Sequence, residues 1–410
     1  MNSNAIFELA LNIKEPWYIK EIKLEKSKES RRGQLDIFID FKAGSKFTDE
    51  LGDVCNVYDT EQRKWQHLNF FEHNCFIHAR VPRIEQKSSK VKTVNVPWAR
   101  PGSGFTLLFE AFAMLLIEYE MPVNKVAAAL RVVAHRLWRV FNFWVKDAVE
   151  KDSLQNVTQV GIDETSAKKG HDYVTVCADL ETRRVIHVSE GREASVVKDL
   201  AEAIDQKQGD VKAISHAGID MSPAYISGVT EHLPDAKIVF DKFHIVAQLN
   251  KAMDELRKGE RKEFELLKGH KYTVLYRYKN LTAKKRDELD YLLMAFPRLC
   301  EGYRLKELFS TFWELEDTEE ALAFLTYWCD MVMDTDIQPF KQFVKTLKAH
   351  WSGIINYVKA KINSGVMEGI NNKIQLAKRR ARGYRNKGNF INMIYFIAGK
   401  LKFNYPYYPP

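Results

Sequence analysis

Apolar and polar positions alternate in short runs over residues 1–45, as in YIKEIKLEK and QLDIFIDF, and a period of two marks half-buried strands. Residues 46–103 stay strand-like and turn-rich, closing on VNVPWARPGSGFT. Pro97, Pro101, Gly102, Ser103 and Gly104 break regular structure there and set the first boundary. From Phe105 to about Lys151 the period lengthens to that of a helix. LLFEAFAMLLIEYE stops at Met121, Pro122 and Val123, and NKVAAALRV and AHRLWRVFNFWVKDAVE follow at helical spacing. Two short helices and a tight turn behind a leading helix predict a helix-turn-helix. The turn falls near Val132–Val133, and Ala134, His135, Arg136 and Arg139 open the second helix. A plain helical linker meets the same pattern.

Residues 157–189 return to β runs, VTQVGID, YVTVCADL and RRVIHVS, joined by the turn-like KKGHD and ETR. A helix over Ala194–Gln208, a β run VKAISHAGID, a helix over Pro223–Leu233 and a strand AKIVF at 236–240 follow. The order β-β-β-α-β-α-β is that of an RNase H-like core. Residues 246–345 read as helical almost throughout, and a final helix carries 365–381. The expected fold class is α/β: an RNase H-like catalytic core with a large helical insertion, preceded by a small β-rich subdomain and a helix-turn-helix. The expected domains are 1–103 (β-rich), 104–152 (helix-turn-helix), 153–245 with 346–403 (core) and 246–345 (insertion).

Composition narrows the classes. At 45% hydrophobic and 28% charged residues, the 410-residue chain has the make-up of a globular protein rather than a fibrous or wholly disordered one. No apolar run reaches the ~20 residues of a membrane span. MNSNAIFELALNIKEPW lacks the basic and apolar regions of a secretory signal. Five cysteines without a C-x-x-C pair suit a reducing compartment, so a cytoplasmic location is expected.

The net charge of +8 is unevenly placed. Residues 341–402 hold fourteen Lys or Arg against a single acid, Glu368, a balance of +13 that leaves −5 for the rest. A basic block on an acidic chain points to a polyanion, although a solvated basic face has the same composition. KIQLAKRRARGYRNK, residues 373–387, mixes basic residues with Tyr, which suits phosphate contact and base stacking.

Three acids stand out against this background. Asp163 closes the apolar run VTQVGI, Asp220 closes VKAISHAGI, and Glu368 lies on a helix within the basic block. Each alone reads as a helix cap or a surface ion pair. An acid on a phosphate-binding surface repels its substrate unless a cation lies between them. Carboxylates hold Mg²⁺ or Mn²⁺, and two such ions can serve an in-line phosphoryl displacement. Asp241, in FDKFH, ends another strand near the same face and could support the site or orient Lys242 and His244; Glu164 points the other way along an extended segment.

At these residues the sequence resembles insertion-sequence transposases of the ISL-three family. The matching segments are VPWARPGSGFTLLFE (96–110), VGIDETSAKKGHDYVTV (160–176), IDMSPAYISGV (219–229), IVFDKFHIVAQLN (238–250) and SGVMEGINNKIQLAKRRARGYRN (364–386). The resemblance implies an Asp-Asp-Glu triad at Asp163, Asp220 and Glu368, Mg²⁺- or Mn²⁺-dependent hydrolysis at the ends of a mobile element, and attack of the freed 3′-hydroxyl on target DNA. The expected partners are terminal inverted repeats and target DNA, with a homo-oligomer assembled on them and no membrane. Lys373, Lys378, Arg379, Arg380, Arg382 and Arg385 are candidates for the DNA backbone, and Arg131, His135, Arg136 and Arg139 for base reading.

The family's N-terminal zinc element is degenerate here. Its ligand places fall on Thr48, Leu51, Gln86 and Ser89, and none is a good zinc ligand. Cys55, His67, His73, Cys75 and His78 lie nearby without ligand spacing, so no zinc is expected. The rival readings are a catalytically silent, transposase-derived DNA-binding protein and a structure-specific nuclease that cuts branched DNA.

Overall fold

The computed structural model describes residues 3–26, 33–87, 90–168, 172–262, 264–360 and 365–405. Lys169–His171 of the turn between the first two core strands, Ser89 of the zinc places and Ser364 of the last matching segment lie outside them. The chain divides into two compact units, 1–148 with 380–382 and 402–410, and 149–379 with 383–401.

In the first unit a helix, α1 (Ser3–Ala10), precedes the strands. The alternating pattern gave no sign of it, because eight residues are too short a window for a helical period. The strands are β1 (Trp17–Lys26), β2 (Gly33–Phe41), β3 (Phe47–Thr48), β4 (Val54–Cys55), β5 (Val57–Phe70), β6 (His73–Glu85) and β7 (Val91–Thr93). Five form one sheet in the order β1-β2-β6-β5 with β7 on β6, and β3 pairs with β4. Inward residues alternate along β2 and β6, so Leu35, Ile37, Ile39, Cys75, Ile77 and Ala79 share a core with Trp17, Trp65 and Trp98. Beside the expected zinc places, Asp49 ties the loop: its carboxylate accepts the N–H groups of Leu51 and Asp53 at 2.9 Å and Gln86 Nε2 at 3.2 Å.

Three helices follow: α2 (Leu107–Glu118), capped by Thr106, α3 (Val123–Ala129) and α4 (Ala134–Lys151). The turn between α3 and α4 passes through Arg131 at φ 58° and reaches α4 at Ala134, as the sequence predicts. Along α4, Leu137, Val140, Phe141, Trp144, Val145 and Ala148 are buried, one face at spacings of three and four. The Pro/Gly segment is tied to these helices by the fully buried Glu110, which accepts Arg100 Nε at 2.8 Å, Ser103 Oγ at 2.5 Å and Trp144 Nε1 at 2.9 Å.

The second unit holds β8 (Gln159–Ser166), β9 (Tyr173–Asp179), β10 (Arg184–Glu190), α5 (Ser195–Gln206), β11 (His216–Ile219), α6 (Pro223–His232) and β12 (Lys237–Phe240). They form a mixed sheet in the order β10-β9-β8-β11-β12: the first three are antiparallel, and β11 runs parallel to both β8 and β12. The element order agrees with the sequence reading; two boundaries do not. β8 runs on to Ser166 because β9 pairs with it as far as Ser166↔Tyr173, so Asp163 lies within a strand. β11 is only four residues of the expected run, because Asp210 caps a 3-10 turn over Val211–Ala213 and pairing with β8 starts at His216↔Gln159.

The described residues of 246–345 are helices and turns, as expected. The helices are α7 (Lys242–Arg261), α8 (Lys271–Leu275), α9 (Ala283–Ala295), α10 (Pro297–Phe309), α11 (Thr318–Met333) and α12 (Gln338–Ala349), and they close on Phe309, Phe312, Trp328 and Phe340. Then come α13 (Trp351–Ala360), α14 (Gly365–Arg380) and α15 (Lys387–Ala398). The last was not expected; its run FINMIYFIA is apolar on all sides, which suits a packed helix but carries no amphipathic period.

Candidate active site

Register places the acids. Gly161 of β8 faces Gly218 of β11, so Asp163 and Asp220 each stand two residues further along adjacent parallel strands. Ile219 faces Phe240 of β12, so Asp220 and Asp241 are the next pair, and Asp241 N–H donates to Ile219 O at 3.0 Å. Asp220 and Asp241 therefore follow directly on the carboxyl ends of β11 and β12, the edge where ligands of open α/β sheets bind, and Asp163 lines the same cleft from within β8. Asp163, Asp220, Asp241 and His244 line one cleft with Gly161, Gly218, Tyr357 and Met367.

Helix α14 runs along β8 and closes one side. Asn371 Nδ2 donates to Asp163 Oδ2 at 2.7 Å, Gln375 Nε2 to Thr165 Oγ1 at 3.1 Å, and Lys378 Nζ to Ser166 O at 2.5 Å. Gly161 permits the approach: a Cβ there would stand 2.7 Å from Leu180 Cδ2 and 2.9 Å from Met367 Sδ. Asp163 Oδ1 accepts the N–H of Glu164 at 2.8 Å. Burial pushes the Asp163 carboxyl above the ordinary range, with Asp241 and Asp220 adding to it; the Glu164 N–H and His244 oppose it. Asp220 Oδ1 accepts Ser222 N–H at 2.8 Å ahead of α6, and Asp241 Oδ1 accepts Phe243 N–H at 2.8 Å, capping α7.

The structure thus brings Asp163 and Asp220 together and adds Asp241, ranked lower in the sequence, together with His244. Glu368 is exposed on the first turn of α14 and does not line the cleft; its neighbour Met367 does. Among the described residues no three His, Cys, Asp or Glu side chains are grouped as a metal site. The donor set suits a hard divalent cation: Asp163, Asp220 and Asp241 bring carboxylate oxygens to one cleft, where burial first, and then the two neighbouring acids, raise Asp163. Asn371 escaped the sequence reading. Its one signal was position, three residues after Glu368 on a helix, which places both on neighbouring parts of the surface.

The basic candidates differ in what they touch. Lys373, Arg379, Arg380, Arg382 and Arg385 are exposed, and Arg380 pairs with Glu120. Lys378 is half-buried and engaged with Ser166. At the helix-turn-helix, His135 and Arg139 are exposed, and Arg131 donates to Glu72 O at 2.8 Å. Arg136 is half-buried, its guanidinium 4.2 Å over the Phe105 ring and within 3.4 Å of Gln66 Oε1 and Gly104 O. Among the described residues no helix is long and apolar enough to cross a membrane.

The chain is similar in sequence to known proteins. A family model described as a transposase matches residues 160–394, and one described as the helix-turn-helix domain of transposase family ISL3 matches residues 94–145. A transposase for insertion sequence element IS1001 from Bordetella parapertussis is 26% identical over 370 residues, covering 87% of this chain and 90% of that protein. A transposase for insertion sequence element IS1557 from Mycobacterium tuberculosis is 25% identical over 355 residues, covering 79% of each.

Proposed function

The chain belongs to the ISL3 family of insertion-sequence transposases, and from that premise we propose that it cuts and joins DNA at the cleft formed by Asp163, Asp220 and Asp241. The observation that carries this reading is the register of Asp163 and Asp220 across adjacent parallel strands, with α14 fastened to Asp163 through Asn371. The strand order, with three antiparallel strands followed by two parallel ones, supports an RNase H-like core. Asp163 and Asp220 would hold a divalent cation, Mg²⁺ or Mn²⁺, with Glu368 on the first turn of α14 as the third ligand. A cation held there would supply activation of the attacking oxygen and would offset charge at phosphorus. Asn371 fixes the Asp163 carboxylate, and Asp241 adds a carboxyl group to the same cleft. Exposed Lys373, Arg379, Arg382 and Arg385 grip phosphates regardless of sequence, and His135 and Arg139 at the start of α4 read the terminal repeat.

One observation favours the rival, catalytically silent reading: Glu368 lies outside the cleft lining. Cleavage of a labelled duplex carrying the element's own terminal repeat decides between them, with Mg²⁺ or EDTA, for wild type and for Glu368→Gln. Nicking at the repeat end that needs Mg²⁺ and disappears in Glu368→Gln supports the transposase site. Binding of the repeat without any cut supports the silent binder.

A further inference from the structure

The helical insertion carries a second basic surface. From Leu266 to Arg286 the chain holds seven Lys or Arg and no acid. Lys268, Lys271, Lys279 and Lys284 are exposed on it. Tyr272 and Tyr276, one helical turn apart on and just after α8, are 63% and 55% exposed, with ring centroids 6.1 Å apart and planes 30° apart. Lys271 Nζ lies 5.7 Å from the Tyr272 ring.

The backbone beneath the rings is anchored. Lys306, buried and with its amine pushed down to about 8 by that burial, donates to Leu275 O at 3.0 Å and Tyr276 O at 2.9 Å. Tyr303 Oη donates to Tyr276 O at 3.0 Å, and Arg257 Nη1 to Leu267 O at 3.1 Å. Thr273 and Val274 point inward, so the outward rings are held rather than loose.

We propose that this strap binds unpaired DNA, stacking bases on Tyr272 and Tyr276 while the flanking lysines hold the phosphates. Lysines alone would serve duplex DNA, whose bases are already stacked on one another. Two near-parallel, solvent-facing rings set among exposed lysines, of which Lys271 lies 4.0 Å from Asp254, fit nucleotides whose faces are free. The proposal rests on the chain's action on DNA and adds a second contact, remote in sequence from the acids and from the helix-turn-helix.

The test uses the full chain and a short oligo-dT strand carrying 2-aminopurine, measured by anisotropy and by quenching at fixed salt. Binding of the terminal-repeat duplex is followed in parallel. Tyr272→Ala and Tyr276→Ala should each weaken the oligonucleotide about tenfold and relieve the quenching, whereas Phe at either position keeps both. Lys268→Ala and Lys279→Ala should each lower the salt slope by about 0.7. Duplex binding and the melting temperature stay at wild-type values, since both rings face solvent. Unchanged oligonucleotide binding in the double alanine variant, or Phe as damaging as Ala, overturns the strap. Loss of duplex binding by wild type overturns the DNA-acting premise instead.

Discussion

Replacing Asn371 with Ala should slow DNA cleavage without weakening the fold. Asp163 has a hydrogen bond on each oxygen, from Glu164 N–H at 2.8 Å and from Asn371 Nδ2 at 2.7 Å. Burial and the neighbouring Asp241 and Asp220 already work against its ionised form. A hydrogen bond to a charged group contributes about 1.5–3 kcal/mol, and tenfold in rate corresponds to about 1.4 kcal/mol. Removing the donor should therefore slow cleavage about 10- to 100-fold at saturating DNA. Stability responds differently. Asn371 Oδ1 is buried without a hydrogen-bond partner, a cost of about 1–3 kcal/mol that Ala removes. The two effects nearly cancel, so the melting temperature should stay close to wild type. The assay is single-turnover nicking of a terminal-repeat duplex, with binding of the same duplex measured separately. Asn371→Asp should cut still more slowly, because a second carboxylate ~4 Å away costs about 4 kcal/mol at an effective dielectric of 20. An Ala variant that cuts at the wild-type rate would refute the claim that Asp163 acts as an ionised carboxylate held by α14.

Asp220→Asn should abolish cleavage and leave repeat binding intact or tighter, since it removes negative charge beside phosphate; surviving cleavage would remove Asp220 from the site. Gly161→Val should cost about 1–3 kcal/mol by overpacking against Leu180 and Met367 and should cut poorly, checked by thermal unfolding together with nicking. His67 and His187 are both pushed down to about 4 by burial. The unfolded chain then binds protons that the folded one does not, so stability is full above about pH 6.5 and falls as pH drops toward 4. The loss is on the order of 2–3 kcal/mol for each histidine, and His67→Gln with His187→Asn should flatten the fall in melting temperature over that window. Asp49→Ala should lower the melting temperature of the N-terminal unit by releasing Leu51, Asp53 and Gln86, and a zinc chelator should leave wild type unchanged.

The legible parts of the sequence were those with a repeating signal. The apolar runs of β8 to β10, the three-and-four spacing of α4 and the breaker cluster at Pro97–Gly104 each reported structure directly. The missed parts lacked one. Asp163 was placed at a strand end because apolar character stops there, whereas backbone pairing with β9 continues to Ser166 whatever the side chains are. Asp241 reads from the sequence only as a strand-end acid that supports the site or orients Lys242 and His244; the structure makes it the cap of α7 and, through the register with Asp220, a neighbour of that acid. The strap on the insertion was hidden by averaging, since residues 246–345 hold seventeen basic and eighteen acidic residues. The cations gather over 266–286 and the acids lie on either side.

The match between β8 and α14 explains how one segment can hold both acid and base. A strand advances about 3.3 Å per residue and a helix about 1.5 Å. From Asp163 to Ser166 β8 advances about 10 Å, and from Asn371 to Lys378 α14 advances about 10.5 Å. The two can therefore stay in step from the first contact to the last without bending. Extended back to Gly161 and Met367 the agreement holds, at about 16.5 Å on each side over the full run. Because the contacts fix the helix in both height and rotation, they also fix Glu368 one turn before Asn371, and Arg379 just beyond Lys378. The positions of Glu368 and Arg379 along β8 are thus set by one spacing. This spacing puts the one acid of the basic block on the same helix that is fastened to the strand carrying Asp163.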